Sequence, residues 1–267
     1  MYKRSLCLVV FAALSASSSG IAAELVTTCG QRVKDGILEQ DLDCGGDFQI
    51  ALLVERSLSL NGHTITGLPS VINCVKPSYS SPNGKCTVTG PGVVRGADVA
   101  TEGISGRKVI VDGVTFENLA VGVSAVKATV TNSVMTGTFP DGFGGAMVGG
   151  TRVSVTGTSI SAASGWGVAG GRRVVLENST VSGNRWDGVS GGRVELVNSS
   201  VTGNSLACDM PFFCGPAPTG LCADVSARRI RLDGTNICGT SLVQEKYCPT
   251  SPLDYRPGPS LGVCTQD

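Results

Sequence analysis

A short phrase recurs eight times along this chain: an aliphatic residue, one free position, Gly or Asn, two further positions and another apolar residue. The starts of the copies lie 19 to 36 residues apart, which is the length of one solenoid turn with occasional insertions. The chain is therefore predicted to be a stack of one small unit rather than several globular domains. The copies begin at Leu60, Val88, Val111, Val130, Val155, Leu176, Leu196 and Leu232.

The third position of each phrase predicts a tight turn, because Gly and Asn accept a positive φ more easily than other residues. An apolar or small residue also stands two places before each start, so two side chains of a short strand point the same way. A third apolar point follows in the regular coils, at Val123, Val168 and Val189. Three short strands per turn, no helical periodicity and 37 glycines predict an all-β fold, a parallel β-helix of about eight coils. The turn positions are Gly62, Gly90, Gly113, Asn132, Gly157, Asn178, Asn198 and Gly234.

The ends of the chain differ in composition from the repeats. Residues 1–23 contain two basic residues, a short apolar run and a small-residue cleavage pattern, which predict a secretory signal peptide. Residues 24–50 are predicted to form an N-terminal cap, 51–237 the parallel β-helix, and 238–267 a Cys/Pro-rich C-terminal cap. No later apolar run is long enough to span a bilayer. We therefore expect a secreted, periplasmic or cell-surface protein.

The cysteines and charges narrow the function classes. Removal of Cys7 with the signal leaves ten of the eleven cysteines, an even number that predicts disulfides in an oxidising compartment. They stand near the ends and in the insertions, where stacking of coils gives least support. One histidine and no C-x-x-C pair argue against a zinc or copper site. A formal net charge of zero gives no global field for nucleic acid, so none is expected as a partner.

Two stretches carry a resemblance to a known family. Residues 58–67 (LSLNGHTITG) and 174–189, which include the coil phrase VVLENSTVSGN, resemble exported right-handed parallel β-helix proteins of the pectate-lyase-like superfamily. The resemblance covers nearly the whole chain after the signal peptide. It implies a right-handed β-helix with a groove along one sheet, a surface typically used for long polysaccharides. The same coil carries lyases, hydrolases and non-catalytic surface proteins, so the resemblance is specific for fold and weak for activity.

A nearly continuous column of basic residues stands three places before each phrase start. Strand alternation predicts that it faces outward, with like charges about 4.8 Å apart in neighbouring coils. One interpretation is an anionic partner, for which a polysaccharide of uronic acids is the natural candidate, since arginine binds carboxylates bidentately. The alternative is that these side chains lie along the rod in water or near acids such as Glu195. The column contains Lys85, Lys108, Lys127, Arg152, Arg173, Arg193 and Arg229, and Ser57 interrupts it in the first coil.

Catalysis is the least determined feature. The resemblance implies that a lyase of this superfamily would use Arg or Lys as a base, and Arg173, Arg193 and Asp187 are the candidate catalytic residues, on neighbouring coils. Lys127, Arg152 and Arg229 are the candidate substrate-binding residues. No cofactor is expected; calcium is the one alternative, and it is unsupported because it would need an acidic cluster that the sequence lacks. The Asp-Asp and Gly-His-Gly signatures of the related polygalacturonases are absent. Two hypotheses remain: a lyase acting by β-elimination, or a non-catalytic glycan-binding or structural module.

Aromatic residues and the one histidine give weaker signals. Trp166 and Trp186 lie one coil apart, and their parity with the inward valines favours a core or corner stack over a sugar platform. His63 lies inside a turn phrase, which favours a structural role over a catalytic one. The better candidates for sugar contact are the phenylalanines of the insertions, Phe139, Phe143, Phe212 and Phe213.

Overall fold

A computed structural model describes residues 23–46, 50–77, 81–97, 101–137, 145–204 and 224–239, and the strand at 241–243. The predicted signal peptide, most of the C-terminal cap and the phenylalanines of the insertions lie outside these residues. The described chain is made of strands, turns and irregular segments. The strands are β1 (Glu24–Val26), β2 (Gln31–Leu38), β3 (Leu42–Cys44), β4 (Ile50–Ser59), β5 (Thr64–Gly67), β6 (Ser70–Cys74), β7 (Lys85–Thr89), β8 (Val93–Gly96), β9 (Glu102–Asp112), β10 (Thr115–Glu117), β11 (Val121–Thr131), β12 (Val134–Thr136), β13 (Val148–Thr156), β14 (Ser159–Ser161), β15 (Val168–Glu177), β16 (Thr180–Ser182), β17 (Val189–Val197), β18 (Ser200–Thr202), β19 (Val225–Asp233), β20 (Ile237–Cys238) and β21 (Ser241–Val243).

These strands form two parallel sheets that wind into one solenoid of about seven turns, close to the eight predicted. The first sheet contains twelve strands in the order β1-β2-β4-β6-β9-β11-β13-β15-β17-β19-β21, with β7 between β4 and β9. The second contains nine short strands in the order β20-β18-β16-β14-β12-β10-β8-β5-β3. The predicted all-β parallel β-helix is therefore confirmed.

A regular turn has one long and one short strand, and not the three short strands predicted. The long strands show why. In β11, Val123 and Ala125 point inward, Val126 and Lys127 are both exposed, and Ala128 points inward again. Two successive outward residues bend the strand while its ladder to the neighbouring coils continues. The first and third short strands of the prediction are thus two halves of one bent strand.

The core is a set of stacked aliphatic columns between the two sheets. One column belongs to the first half of the long strands, and all of its members are fully buried. Parallel register places each directly above the next, so the residues of successive coils pack at the strand spacing of about 4.8 Å. This column contains Ile104, Val123, Val148, Val168, Val189 and Val225.

The predicted turn column has the predicted backbone conformation at seven of its eight positions, from Asn198 (φ 48°) to Gly62 (φ 87°). The exception is Gly90, where the positive φ belongs to Gly92 (φ 153°). The register explains the difference. Leu58, not Leu60, pairs beside Val88, so the first two copies of the phrase are offset by two residues in space.

Beside this turn, buried hydroxyl groups form a ladder that runs from coil to coil. In each of four successive coils the hydroxyl donates to the carbonyl two residues earlier and accepts a hydrogen bond from a backbone N–H of the preceding coil. The Thr158 hydroxyl, for example, donates to Thr156 O at 2.9 Å and accepts from Ser133 N at 3.3 Å. A buried polar group is tolerated when it is bonded in this way. The rungs are Ser133, Thr158, Ser179 and Ser199, and the amide of Asn236 takes the same place in the last coil.

A second buried ladder consists of amides and ends in an acid. Asn184 Nδ2 donates to Asn204 Oδ1 at 2.6 Å, and Asn204 Nδ2 donates to Asp224 Oδ1 at 2.8 Å. The backbone N–H of Asn204 also donates to Asp224 Oδ1 at 2.8 Å. All three side chains are at least nine-tenths buried. The ladder therefore joins three coils through polar contacts inside an otherwise apolar stack.

Disulfides support the N-terminal part of the described chain. Cys29 pairs with Cys44, and Cys74 pairs with Cys86 across the first insertion. Cys238 is also disulfide-bonded. These bonds are compatible with an extracellular protein, as the cysteine count predicted.

A second column of left-handed turn residues follows the short strands β14, β16 and β18, and Ala162 is its one residue that is not glycine. It has φ 54° and is exposed, whereas Gly183 (φ 64°) and Gly203 (φ 65°) stand at the same place in the next two coils. A left-handed conformation costs an L-residue about 1–2 kcal/mol, part of which the greater unfolded-state entropy of glycine offsets. We expect Ala162→Gly to raise the free energy of unfolding by about 0.5–1 kcal/mol in urea titrations. Gly183→Ala should lower it by a similar amount, and equal stability of all three proteins would contradict this account.

Candidate functional site

The basic column predicted from the sequence lies on the outer surface of the first sheet, just after the bend in each long strand. Six of its seven members are exposed, and Lys108 is half-buried. Neighbouring strands place these residues directly side by side at every step except that from Arg173 to Arg193. The register pairs Lys85 with Lys108, Lys108 with Lys127, Lys127 with Arg152, Arg152 with Arg173, and Arg193 with Arg229.

The bend adds basic residues that sequence reasoning did not include. Because two successive residues point outward there, Arg107, Arg172 and Arg228 are exposed immediately before a member of the column. The signal was present in the spacing of the apolar positions. Ala125 and Ala128 are both buried although three residues apart, and this spacing leaves two outward positions between them.

Strand β15 carries a β-bulge in the middle of the column. Between Gly170 and Val174 it has three residues, whereas the facing strand β17 has two between Gly191 and Val194. The other neighbour, β13, is also one residue shorter at this level. As a result Gly171, Arg172 and Arg173 are three consecutive exposed residues. Bulges of this kind re-aim side chains and recur near functional sites.

One carboxylate holds three guanidinium groups next to the bulge. Glu195 Oε2 lies 2.7 Å from Arg173 Nη2 and 3.9 Å from Arg193 Nη2, and Glu195 Oε1 lies 3.9 Å from Arg231 Nη1. The Glu195 side chain is only 13% exposed, while the three arginines are about half exposed. The hydrogen bond from Arg173, followed by the charges of Arg173, Arg231 and Arg193, lowers the pKa of Glu195 against the opposing effect of burial. Glu195 is therefore ionised at neutral pH.

The rest of the column is not neutralised by acids in the described part of the chain. Carboxylates there form ion pairs with Arg173 and Arg193 but with no other member of the column. By contrast, Arg95 on the second sheet lies 2.7 Å from Glu117, and Arg56 lies 3.1 Å from Asp35. The expectation that nearby acids compensate the column thus applies around Glu195 and not along its whole length.

Asp187, the third candidate catalytic residue, is placed differently from the two arginines. It is 7% exposed and precedes β17, and its backbone carbonyl accepts a hydrogen bond from Gly167 N at 3.2 Å. Arg193 lies in the later half of the same strand, beyond the bend. The acid that contacts both Arg173 and Arg193 is Glu195.

The two tryptophans form an edge-to-face pair. The ring centroids of Trp166 and Trp186 are 4.6 Å apart with an interplanar angle of 73°, and both residues are half-buried. Such a pair stabilises the side of two adjacent coils by offset aromatic contact. Crossed rings also lack the flat, continuous face on which a sugar would stack. The geometry therefore agrees with the predicted corner stack.

Two further ionisable residues, Glu102 and His63, lie outside the basic column. Glu102, at the start of β9, has a pKa raised by burial, which hydrogen bonds from Ser124 and Ser105 partly oppose. His63 lies in its turn, with Nδ1 3.4 Å from Asp41 Oδ1.

Within the described ranges, no three His, Cys, Asp or Glu side chains come together as a metal site would require. No helix there has the length and apolarity to cross a membrane.

Comparisons with known proteins give no assignment. No protein family matches the chain, and neither the curated proteins nor the solved structures contain a match.

Proposed function

We propose that this protein is an exported β-helix module that binds an acidic polysaccharide along its basic column, and that it belongs to the pectate-lyase-like superfamily. The observation that carries the proposal is the in-register column of exposed Lys and Arg side chains, most of which have no acidic partner within the described residues. Like charges on neighbouring coils repel one another. A chain of uronic acids offers compensation, because it presents one carboxylate on every sugar.

The geometry favours a linear partner over a compact one. The column follows the long axis of the stack, with one basic position per coil at a separation of about 4.8 Å. A flexible polyanion laid along this line can contact several coils at once, and each additional contact adds affinity without a new binding event. Arginine contributes bidentate hydrogen bonds to carboxylates, and lysine contributes point charges.

Binding without cleavage is the form of the proposal that the residues support. β-Elimination needs a base beside the sugar as well as a group that neutralises its carboxylate. Arg173 Nη2 donates to the ionised Glu195 Oε2 at 2.7 Å, and a guanidinium carries donors but no acceptor. A guanidinium held in this way is suited to neutralise a carboxylate and poorly suited to remove a proton.

The test is retention on immobilised polygalacturonate as sodium chloride is raised. We expect Lys127→Gln/Arg152→Gln to weaken binding about tenfold, because two unpaired cations on neighbouring strands are lost. The matched control is Arg56→Gln/Arg95→Gln, which removes the same charge from two residues that are already paired with the acids Asp35 and Glu117. It should bind like the wild type.

Two outcomes would overturn the proposal. Equal losses in both double variants would mean that net charge and not the column governs retention, and no retention of the wild type at low salt would remove the polysaccharide partner. The same incubations report on cleavage, since β-elimination produces unsaturated uronates that absorb in the ultraviolet. A rise in absorbance that Arg173→Ala abolishes would show that the protein is a lyase and not a non-catalytic binding module.

A further inference from the structure

We infer that the bulge of β15 creates one focal oxyanion subsite within the basic column, formed by Arg172, Arg173, Arg193 and Arg231 and positioned by Glu195. The inference rests on the proposed polysaccharide binding and adds a particular site to it. Its ligand is a single oxyanion substituent of the bound chain, either the carboxylate of a uronic acid or a sulfate ester. The rest of the column would then hold the chain by distributed charge.

The first argument is the density of donors at this level of the stack. The strands before the bulge present one or two basic residues each, such as Lys127 in β11 and Arg152 in β13. The three strands from the bulge onward, β15, β17 and β19, together present six: Arg172, Arg173, Arg193, Arg228, Arg229 and Arg231. The bulge makes Arg172 and Arg173 consecutive exposed residues in β15, the strand next to β17, which carries Arg193. Each guanidinium carries five N–H donors in a rigid fork. The donors are therefore most concentrated in the three strands that begin at the bulge.

The second argument is the geometry of Glu195. Its two oxygens lie within 4 Å of three guanidinium groups, so one negative charge faces three positive ones and two remain in excess. The carboxylate cannot use all the donors of three arginines. It restrains their flexible side chains while leaving N–H groups for a second acceptor. Restraint of this kind reduces the entropy that binding would otherwise cost.

The third argument is the glycine that accompanies the bulge. A Cβ on Gly192 would lie 3.1 Å from Gly171 O and 3.2 Å from Arg172 O. The backbone of the bulge thus leans against β17 at a position where a side chain would crowd it. Gly192 also adds no side chain to the surface beside Arg193.

The decisive variant is deletion of Gly171, which removes the extra residue of β15 and keeps every charge. The remaining Gly170-Arg172-Arg173 has the length of Gly150-Thr151-Arg152 and Gly191-Gly192-Arg193 in the flanking strands. We expect the deletion to weaken binding at least about fivefold, to polygalacturonate if the subsite takes carboxylates, to heparin if it takes sulfate esters, and to both if it takes either. Unchanged affinity for both polymers would overturn the subsite. No binding of either polymer to the wild type would instead defeat the proposed function.

Single substitutions keep the test decisive if the deletion variant does not fold. Arg173→Gln and Lys127→Gln each remove one charge from the same column, and we expect about a tenfold loss for the first and about a threefold loss for the second. Arg173→Lys should lose nearly as much as Arg173→Gln, because lysine keeps the charge without the fork. Equal losses for Arg173→Gln and Lys127→Gln would overturn the focal site.

Glu195→Gln tests the positioning role by the sign of its effect. The substitution removes one negative charge and so raises the net charge by one, and attraction by distributed charge alone would then tighten polyanion binding. If Glu195 positions the arginines, binding weakens although the net charge rises, and we expect a loss of about threefold with no decrease in the salt dependence of retention. Tighter binding would show that Glu195 only neutralises the surface and would overturn its assigned role.

Discussion

Gly90→Ala is expected to lower the free energy of unfolding by about 3–5 kcal/mol, a severe loss for a change of one methyl group. A Cβ at this position would lie 1.8 Å from the carbonyl oxygen of Gly113 in the next coil. The Cβ position is fixed by the Gly90 backbone, and the oxygen belongs to the Gly113 backbone, so neither can turn away as a side chain would. Gly90 N also donates to Asp112 O at 2.8 Å, so the coils cannot separate without losing ladder hydrogen bonds. Urea titration followed by circular dichroism measures the effect.

The control for Gly90 is Gly46→Ala. A Cβ on Gly46 meets nothing within 4 Å, and this residue has no positive φ. Its substitution should change the free energy of unfolding by less than about 0.5 kcal/mol. If Gly90→Ala were as stable as Gly46→Ala, the close approach of the Gly90 and Gly113 backbones would be contradicted.

Asn204→Asp should destabilise the protein by about 3–5 kcal/mol at pH 7 although it preserves the shape of the side chain. The Asn204 amide donates to Asp224 Oδ1 at 2.8 Å, so the substitution replaces a buried hydrogen bond with two facing carboxylates. A proton shared by the two acids would restore a donor. The folded variant therefore binds a proton more tightly than the unfolded chain, and its stability should rise as the pH falls from 7 towards 4.

The comparison variant is Asn178→Asp, in the exposed turn column at φ 49°. Asp tolerates this conformation nearly as well as Asn, and no buried partner is affected. Its cost should stay below about 1 kcal/mol and should not diminish in acid. A pH-independent loss in Asn204→Asp would show that the ladder does not depend on the amide as donor.

The fold was predictable because one position in each coil requires a positive φ and is therefore filled by Gly or Asn. Gly113, Asn132 and Gly157 all stand at positive φ, and the spacing between such residues is the length of a coil. The division of the coil into strands was less accessible. Alternation of apolar residues cannot distinguish two short strands from one bent strand, because continuity depends on the ladder between coils. The lengthened turn at Gly90-Pro91-Gly92 likewise appears only when Leu58 is paired with Val88.

The basic column was predictable from the sequence, but the grouping of arginines around the bulge and Glu195 was not. Three places before each phrase start is a position fixed by strand alternation, so the alignment of Lys127 with Arg152 followed from the repeat. The bulge could not be predicted in the same way, since one extra residue between Gly170 and Val174 resembles ordinary variation in coil length. The grouping of arginines around Glu195 depends on rotamers that a repeat does not specify.

The hydroxyl ladder has a consequence for how such a protein changes over generations. Thr158 and Ser179 close their coils with the same pair of hydrogen bonds, so the junction above a coil is interchangeable with the junction below it. A gene that duplicates or drops the segment between two rungs therefore joins surfaces that already fit. The length of the rod can vary by whole coils while its outward chemistry is selected separately, residue by residue.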